Sequence, residues 1–301
     1  MDTINNFPAQ EGRIIMITGA NTGLGYETAL SLAKKGATVI MACRSRSKAE
    51  VAKHKIKKAV PAANLEIMEV DLSSLKSVQK MAKEYQAQYD RLDVLVNNAG
   101  VMMPPYTKTE DGLELQLEAN YLGHFLLTGL LLPTILKTPQ SRVVSLSSIA
   151  HKNGKINFDD LQSEKKYSAQ DAYGQSKLAC LMFAFELQRR LEKAGQNGTI
   201  STAAHPGIAD TELSRHLPKF LYVALKYTIA PFLTQSAGEG AKPTLVAAIG
   251  ETEGGEYFGP TGFNEFKGKA GKAKYTELSK DKAIAKRLWE VSEELVDFKY
   301  L

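Results

Sequence analysis

A tyrosine and a lysine four residues apart are the side chains of this sequence best suited to acid–base chemistry on an alcohol or a carbonyl group. Tyr173 and Lys177 lie in a stretch with helical spacing that extends to about Leu191. Residues four apart share one helix face, so the phenol and the ammonium are expected to point into the same space. A nearby positive charge favours a phenolate, which suits a general acid or base. Decoration of a helix surface gives the same pattern, and a cofactor fold around it would favour the catalytic interpretation.

A glycine-rich loop follows the first apolar run of the chain and precedes a helical pattern. Residues 18–25 read Thr-Gly-Ala-Asn-Thr-Gly-Leu-Gly, with the spacing G-x-x-x-G-x-G. Such a loop turns sharply from strand to helix and brings backbone N–H groups close to a pyrophosphate. A glycine turn that holds no ligand is the alternative. The loop residues predicted to contact a dinucleotide are Gly19, Asn21, Thr22, Gly23, Leu24 and Gly25.

The end of the second apolar run indicates which dinucleotide is bound. An NAD site usually has a carboxylate there for the ribose hydroxyls. This chain has Arg44 after residues 38–43 and no carboxylate. A guanidinium can hold a 2′-phosphate through charge-assisted hydrogen bonds, so NADP is favoured over NAD. A solvated surface arginine is the alternative for Arg44.

Hydroxyl and amide side chains follow two later apolar runs. Residues 145–148 read Ser-Leu-Ser-Ser, and a serine hydroxyl there could hold a substrate oxygen beside Tyr173. A helix cap or a turn is the ordinary role of such a serine. Residues 97–100 read Asn-Asn-Ala-Gly, and Asn120 lies in the apolar segment that follows. An amide in such a segment needs buried hydrogen-bond partners, either as a structural core residue or as part of a water relay.

The elements that must position these residues alternate between short apolar runs and helical patterns. The apolar runs are residues 13–18, 38–43, 65–70, 92–96, 142–146 and 200–204. Strands that are apolar at nearly every position are buried on both faces by crossover helices. The sequence therefore predicts an α/β protein with a single-domain Rossmann fold over residues 1–301. Its doubly wound parallel sheet is predicted to have about seven strands with helices on both faces.

Composition excludes several other classes of protein. A net charge of +5 over 301 residues is too small for a nucleic-acid-binding stripe. Two cysteines, Cys43 and Cys180, fit a reducing compartment and small apolar packing, so a cytoplasmic location is expected. The five histidines, at positions 54, 124, 151, 205 and 216, show no ligand spacing, so no metal is expected.

No membrane segment is expected either. The opening residues have neither the basic nor the apolar region of a signal peptide, and residues 121–136 are predicted to form a buried helix. The basic stretch 267–274 is interpreted as a solvated surface loop in preference to a phosphate site.

Taken together and in order, these motifs resemble the short-chain dehydrogenase/reductase family over nearly the whole chain. The resemblance rests on the glycine loop, Asn-Asn-Ala-Gly at 97–100, Asn120, Ser148, Tyr173 with Lys177, and Pro206-Gly207. It implies that Asn120, Ser148, Tyr173 and Lys177 are catalytic, with Ser148 chosen because the second serine of the pair is usually the catalytic one. The cofactor contacts that it implies, beyond the glycine loop, are Arg44, Asp71, Leu72, Asn98, Ala99, Gly100, Tyr173, Lys177, Pro206, Gly207 and Thr211. Asp71 and Leu72 would flank the adenine, and Thr211 would contact the carboxamide.

One branch of the family is favoured by the spacing between the serine and the tyrosine. Common members place the tyrosine roughly a dozen residues after the serine, whereas positions 148 and 173 lie 25 apart. The longer segment is similar to that of the retinol dehydrogenase and protochlorophyllide reductase-like branch. Residues 209–235 carry apolar and aromatic side chains that could close over the nicotinamide and exclude water. A packed helix pair is the alternative for that segment.

The sequence as a whole predicts an NADP(H)-dependent oxidoreductase. It would transfer a hydride between the nicotinamide and a carbonyl or a primary or secondary alcohol, with an apolar or aromatic substrate such as a retinal-like aldehyde. The alternative is an NADP-binding sensor or interaction protein with incidental activity. A sugar epimerase shares the tyrosine and the lysine, but the chain lacks a sizeable added domain. The apolar faces of residues 120–136 and 172–191 could pair in a homodimer, or could be buried within one subunit.

Overall fold

The computed structural model describes residues 7–208 and 234–301 and confirms the predicted α/β fold. Its strands lie side by side in the order β3-β2-β1-β4-β5-β6-β7-β8, and β1 to β7 are parallel. The strands are β1 Ile14–Thr18, β2 Thr38–Cys43, β3 Asn64–Glu69, β4 Val94–Asn97, β5 Ser141–Leu146, β6 Thr199–Ala204, β7 Tyr257–Pro260 and β8 Ala270–Lys272.

The helices cover both faces of this sheet. We number the helices of the described residues α1 Gly23–Lys34, α2 Arg46–Ala59, α3 Leu75–Gln88, α4 Gly123–Lys137, α5 Ala169–Lys193, α6 Ala237–Ile249 and α7 Lys282–Leu295. Shorter turns are the α-turn Leu115–Leu117, the π turn Glu118–Leu122 and the 3-10 turns Ile149–Asn153, Phe263–Glu265 and Glu277–Lys280.

The apolar character of the strands follows from this arrangement. Side chains of α1, α2 and α6 form a buried cluster on one face, and those of α3, α4, α5 and α7 form another on the opposite face. A strand covered on both sides must be apolar at successive positions, as Ile15, Met16 and Ile17 of β1 are. Complete burial of each such side chain contributes about 1.5–3 kcal/mol to folding.

The sheet has one strand more than the seven that the sequence predicted. The eighth strand, β8, pairs antiparallel with β7 and lies inside the basic stretch 267–274, which was interpreted as a surface loop. A strand of three residues with glycine and lysine has no apolar run to reveal it. Lys272 on this edge is exposed and pairs with Glu256 at 2.6 Å, and charged edge strands of this kind resist pairing with other chains.

The long apolar segment before β5 forms part of the core. Leu115–Lys137 is long and apolar enough to cross a membrane, but 83% of its apolar window is buried inside the protein. That burial is typical of a core helix, and length and composition alone are weak grounds for a membrane span. Burial within one chain also accounts for the apolar faces of α4 and α5, on which the homodimer prediction depended. The homodimer and the cytoplasmic location stay predictions.

Candidate active site

The loop between β1 and α1 has the geometry that its glycines predicted. Gly19 and Gly23 have φ angles of 69° and 54°, in the left-handed region that favours glycine. A Cβ atom on Gly25 would overlap the carbonyl oxygen of Gly19 and would lie 2.6 Å from Asn98 Nδ2. Thr22 precedes α1 without a side-chain cap, and the first turn of α1 has no acidic residue. The first N–H groups of α1 are therefore suited to an anionic group such as a pyrophosphate.

Thr18, at the end of β1, ties this loop to the end of β4. Its hydroxyl oxygen accepts hydrogen bonds from the backbone N–H groups of Asn98 and Ala99, both at 2.9 Å. The Asn98 side chain donates to the backbone oxygen of Thr18 at 2.7 Å. The predicted cofactor contacts of the two loops are thereby brought together in one rigid unit. The Cys43 thiol interacts with the backbone of Ala20 and Asn21 in the glycine loop, and its burial raises its pKa to about 12.

The residues expected at the adenine end lie beside one another. Arg44 follows β2, its side chain is 69% exposed, and its Nη1 is 3.9 Å from Asp71 Oδ2. Asp71 is fixed by the N–H and the hydroxyl of Ser73, which donate to Oδ1 at 3.0 Å and 2.6 Å. Leu72 is buried. The loose Arg44–Asp71 pair leaves the guanidinium accessible to a ligand.

Tyr173 and Lys177 lie on α5 and are buried inside the protein, with residue exposures of 6% each. The ammonium nitrogen of Lys177 is 5.9 Å from the centre of the Tyr173 ring. It donates to the backbone oxygen of Leu146 at 3.1 Å, its one hydrogen-bond acceptor among residues 7–208 and 234–301. A Cβ atom on Gly100 would be 3.4 Å from Lys177 Nζ. The structure therefore brings the ends of β4 and β5 together around this ammonium.

Asn120 lies in the π turn that precedes α4, and π turns are frequent at functional sites. Its side-chain oxygen accepts from the N–H of Val101 at 2.7 Å, and its Nδ2 donates to the Val101 oxygen at 3.0 Å and to Ser176 Oγ at 2.9 Å. These bonds hold the loop after Gly100 against α5. They give Asn120 the buried partners that the sequence required, and its part in a proton relay stays a prediction.

The two adjacent serines after β5 have different surroundings. Ser147 is buried, and its hydroxyl donates to the backbone oxygen of Lys177 at 2.8 Å. Ser148 is partly exposed and begins the turn Ile149–Asn153, where its hydroxyl accepts from the N–H of Ala150 at 3.2 Å. Within residues 7–208 and 234–301 the Ser148 hydroxyl donates no hydrogen bond, so its hydrogen can serve a ligand. Its predicted catalytic role and the capping alternative are compatible.

The Pro206-Gly207 turn follows β6 at the same edge of the sheet. Gly207 has a φ angle of 67°, and a Cβ atom there would overlap the backbone oxygen of Phe266. The Pro206 oxygen accepts from the Gln235 side chain at 2.7 Å. Thr211 and the segment 209–235, apart from its last two residues, lie outside the described residues.

Three histidines beside these residues are buried, and the sequence analysis assigned no role to them. They are His124, His151 and His205. His124 Nδ1 lies 2.9 Å from the Asn120 backbone oxygen, and Nε2 lies 2.8 Å from Thr18 Oγ1. Burial lowers the pKa of His124 to about 4, so the ring is neutral near pH 7. Its position four residues after Asn120, on the same helix face, was the available signal.

The described residues contain no group of three or more His, Cys, Asp and Glu side chains that could hold a metal ion. This finding does not test whether the protein needs a metal, so the expectation of no metal stays a prediction. Cys43 and Cys180 are both buried free thiols, in agreement with the prediction that they pack as small apolar residues.

Comparisons with known proteins agree with the motifs. Residues 13–221 match the model of the short chain dehydrogenase family. Mouse retinol dehydrogenase 12 is 40% identical over 292 residues, which are 96% of this chain and 88% of that protein. The crystal structure of an uncharacterized protein from Mycobacterium paratuberculosis is 39% identical, with a TM-score of 0.82 over 99% of this chain and 98% of that one.

A more distant structure shares the fold. A short chain dehydrogenase from Shigella flexneri complexed with NADP is 22% identical, with a TM-score of 0.65 over 84% of this chain and 98% of that one. The family match covers more than half of the chain, and the motifs named above lie within it. This chain therefore belongs to the short chain dehydrogenase family, as an oxidoreductase of its retinol dehydrogenase-like branch.

Proposed function

We propose that the protein is an NADP(H)-dependent oxidoreductase that interconverts an apolar carbonyl compound and the corresponding alcohol. The observation that carries this proposal is the buried ammonium of Lys177, which has one protein acceptor among the described residues and lies beside Tyr173. A buried charge is costly unless it is paired or hydrogen-bonded. An ammonium has three donors, and the described residues accept from one of them, so the proposed cofactor would take the other two.

The described residues fit a dinucleotide. The first N–H groups of α1 lack a side-chain cap and would hold the pyrophosphate. Arg44, exposed and loosely paired, would hold the 2′-phosphate that distinguishes NADP from NAD. Asp71 and Leu72 would flank the adenine, and Gly100, Lys177 and the turn Pro206-Gly207 would hold the nicotinamide ribose and ring. The bound cofactor supplies or accepts the hydride.

The proton chemistry belongs to this chain's own side chains. The Tyr173 hydroxyl gives a proton to the substrate oxygen in reduction and takes one in oxidation. The Lys177 ammonium stabilises the phenolate that forms when that proton leaves. The Ser148 hydroxyl donates a hydrogen bond to the same substrate oxygen and keeps it in place. Burial of Tyr173 keeps water away from the reacting atoms.

An apolar substrate is supported by the surroundings of the Pro206-Gly207 turn and by a relative named as a retinol dehydrogenase. Ile208 is 36% exposed and Phe263 is 75% exposed, although both are apolar. Phe266 links them, since its backbone oxygen accepts from the N–H of Ile208 and its ring lies 6.3 Å from that of Phe263. We propose a retinal-like or aromatic aldehyde or ketone as substrate.

The test is the loss of reduced-nicotinamide absorbance with retinal, aromatic aldehydes, quinones and sugars as substrates, using NADPH and NADH in parallel. We expect turnover of apolar carbonyl compounds and a preference for NADPH. Tyr173→Phe should lower kcat by roughly 100-fold or more while NADPH binding is retained. Turnover restricted to sugars would refute the substrate class, and undiminished activity in Tyr173→Phe would refute the mechanism.

The nucleotide preference has its own variant. Arg44→Leu should raise the Kd for NADPH by about 10-fold or more and leave that for NADH nearly unchanged, because one charge-assisted contact contributes about 1.5–3 kcal/mol. Lys58→Leu removes an equal charge from the far end of α2 and is the matched control. Equal effects of the two variants on NADPH would contradict the assignment of Arg44. NADPH binding without turnover of any substrate would favour the sensor alternative.

A further inference from the structure

Two buried histidines lie on the turns that follow β5 and β6, and both contact one tyrosine ring. The ring centres of His151 and His205 are 5.6 Å and 5.2 Å from that of Tyr257. The two residues are 1% and 0% exposed, and the Nε2 atom of each has no hydrogen-bond partner among the described residues. Buried polar atoms usually have partners, so this pair calls for an explanation.

His151 holds the turn that begins at Ser148. Its Nδ1 lies 2.6 Å from the backbone oxygen of Ser148. A carbonyl oxygen only accepts hydrogen bonds, so Nδ1 carries the hydrogen and donates it. Burial lowers the pKa of His151, which favours the neutral ring, with Nε2 then a bare acceptor.

His205 holds the turn at Pro206-Gly207 with the opposite tautomer. Its Nδ1 accepts from the N–H of Gly207 at 3.2 Å, so the hydrogen of the neutral ring is on Nε2. That atom lies 3.8 Å from Glu265 Oε2. Burial lowers the pKa of His205 to about 4, which keeps the ring neutral. A Cβ atom on Gly259 of β7 would overlap the imidazole, so the ring is packed directly against that strand.

Glu265 joins the two turns. Its carboxylate accepts from Lys152 Nζ at 2.7 Å and from the N–H of Lys274 at 2.6 Å. Lys152 is the residue after His151, so the ion pair fixes the same turn from its other end. Asn264 and Glu265 have φ angles of 48° and 59°, which are unfavourable for residues with a Cβ atom. Strain of this kind persists where the surrounding contacts enforce it.

We infer that His151 and His205 are positioning residues, of which His151 fixes the Ser148 hydroxyl and His205 fixes the Pro206-Gly207 turn against the nicotinamide. The inference rests on the proposed function, which gives Ser148 and Gly207 their roles. The opposite tautomers explain why imidazoles occupy both positions. His151 must donate at Nδ1 and His205 must accept at Nδ1. A neutral imidazole can do either, depending on which nitrogen carries the hydrogen.

The experiment places an amide at either ring nitrogen. Asparagine puts its amide where Nδ1 lies, and glutamine puts it near Nε2. His151→Asn keeps the donor to Ser148, whereas His151→Gln loses it. His205→Asn keeps an acceptor for Gly207, and His205→Gln does not. His54→Gln, on the exposed face of α2, is the control, and thermal unfolding of each variant identifies those that no longer fold.

We expect His151→Gln to lower kcat by about 10- to 100-fold with little change in the KM for NADPH, since small misplacements have effects of this size. His151→Asn should stay within about threefold of the unmodified protein. His205→Gln should raise the Kd for NADPH, measured by fluorescence titration without substrate, by about 10-fold, and His205→Asn by much less. Equal behaviour of the Asn and Gln variants at both positions would overturn the inference.

Failure of the proposed function gives a different result. If the proposed function is wrong, the unmodified protein itself turns over no carbonyl compound, whether or not it binds NADPH. If only the positioning inference is wrong, the unmodified protein does both and the paired variants do not differ. A loss of thermal stability that is equal in both members of a pair, without the expected difference in kcat or Kd, would show ordinary buried packing and would also overturn the inference.

Discussion

Replacing His124 by glutamine should remove a large part of the acid sensitivity of the fold. The ring is completely buried between Asn120 and Thr18, and it is neutral because burial lowers its pKa from 6.5 to about 4. Its Nδ1 donates to the Asn120 oxygen and its Nε2 accepts from the Thr18 hydroxyl. The Lys177 ammonium also disfavours a second positive charge nearby. Protonation of His124 therefore opposes the folded state.

The sign and the size of this change in stability follow from the pKa of His124 in the unfolded and in the folded protein. The unfolded chain binds a proton at His124 below about pH 6.5, whereas the folded protein does so only below about pH 4. Stability is therefore lost as the pH falls through this window, and no more is lost below it. The difference in proton affinity corresponds to about 3 kcal/mol in full, and to about 2 kcal/mol between pH 7.5 and pH 5. Typical domains have only about 5–15 kcal/mol of stability.

Urea unfolding at several pH values between about 7.5 and 5 measures the effect. His124→Gln is expected to be less stable than the unmodified protein near neutral pH, because it packs less well. Between pH 7.5 and pH 5 the free energy of unfolding of the variant should nevertheless fall by about 2 kcal/mol less than that of the unmodified protein. His54→Gln, an exposed change on α2, is the control and should follow the unmodified protein. His151 and His205 add to the slope in all three proteins, so parallel curves for His124→Gln and the unmodified protein would refute the reasoning.

Three further predictions concern other parts of the molecule. Gly25→Ala should cost about 1–3 kcal/mol of stability in thermal unfolding and weaken NADPH binding, because the new Cβ would displace Gly19 or the Asn98 side chain. Trp289→Ala should cost about 3–5 kcal/mol, since Trp289 is 1% exposed and stacks at 5.7 Å on Phe183. Chelators should leave activity unchanged, and loss of activity that zinc restores would contradict this expectation.

Much of the fold was predictable because the pattern of the strands reflects their burial. Six apolar runs coincide with β1 to β6 within two residues at each end, since both faces of these strands are covered. The strand β8 was not predictable, because its three residues are held by pairing with β7 and not by an apolar surface of their own. The π turn before α4 was missed for a similar reason, because its residues are those of an ordinary buried helix.

The site was predictable in part. The glycine spacing and the Tyr173–Lys177 pair are local patterns, and the structure places these residues at one edge of the sheet. The contacts of His124, His151 and His205 include partners distant in sequence, such as Thr18 for His124. The spacing of four residues from Asn120 placed His124 on the same helix face, but it did not reveal that distant partner. The preference for Ser148 over Ser147 rested on resemblance, whereas the structure shows that Ser147 already donates to the Lys177 backbone oxygen.

The hydrogen bond from Lys177 to Leu146 has a thermodynamic consequence for ligand affinity. Ordering a long, flexible lysine side chain costs about 1.5–2 kcal/mol of conformational entropy. Here the carbonyl at the end of β5 restrains that side chain as soon as the chain folds. This entropy is therefore lost during folding, where hydrophobic burial offsets the cost. A dinucleotide that binds afterwards does not have to restrict the Lys177 side chain, because the cation is already preorganised.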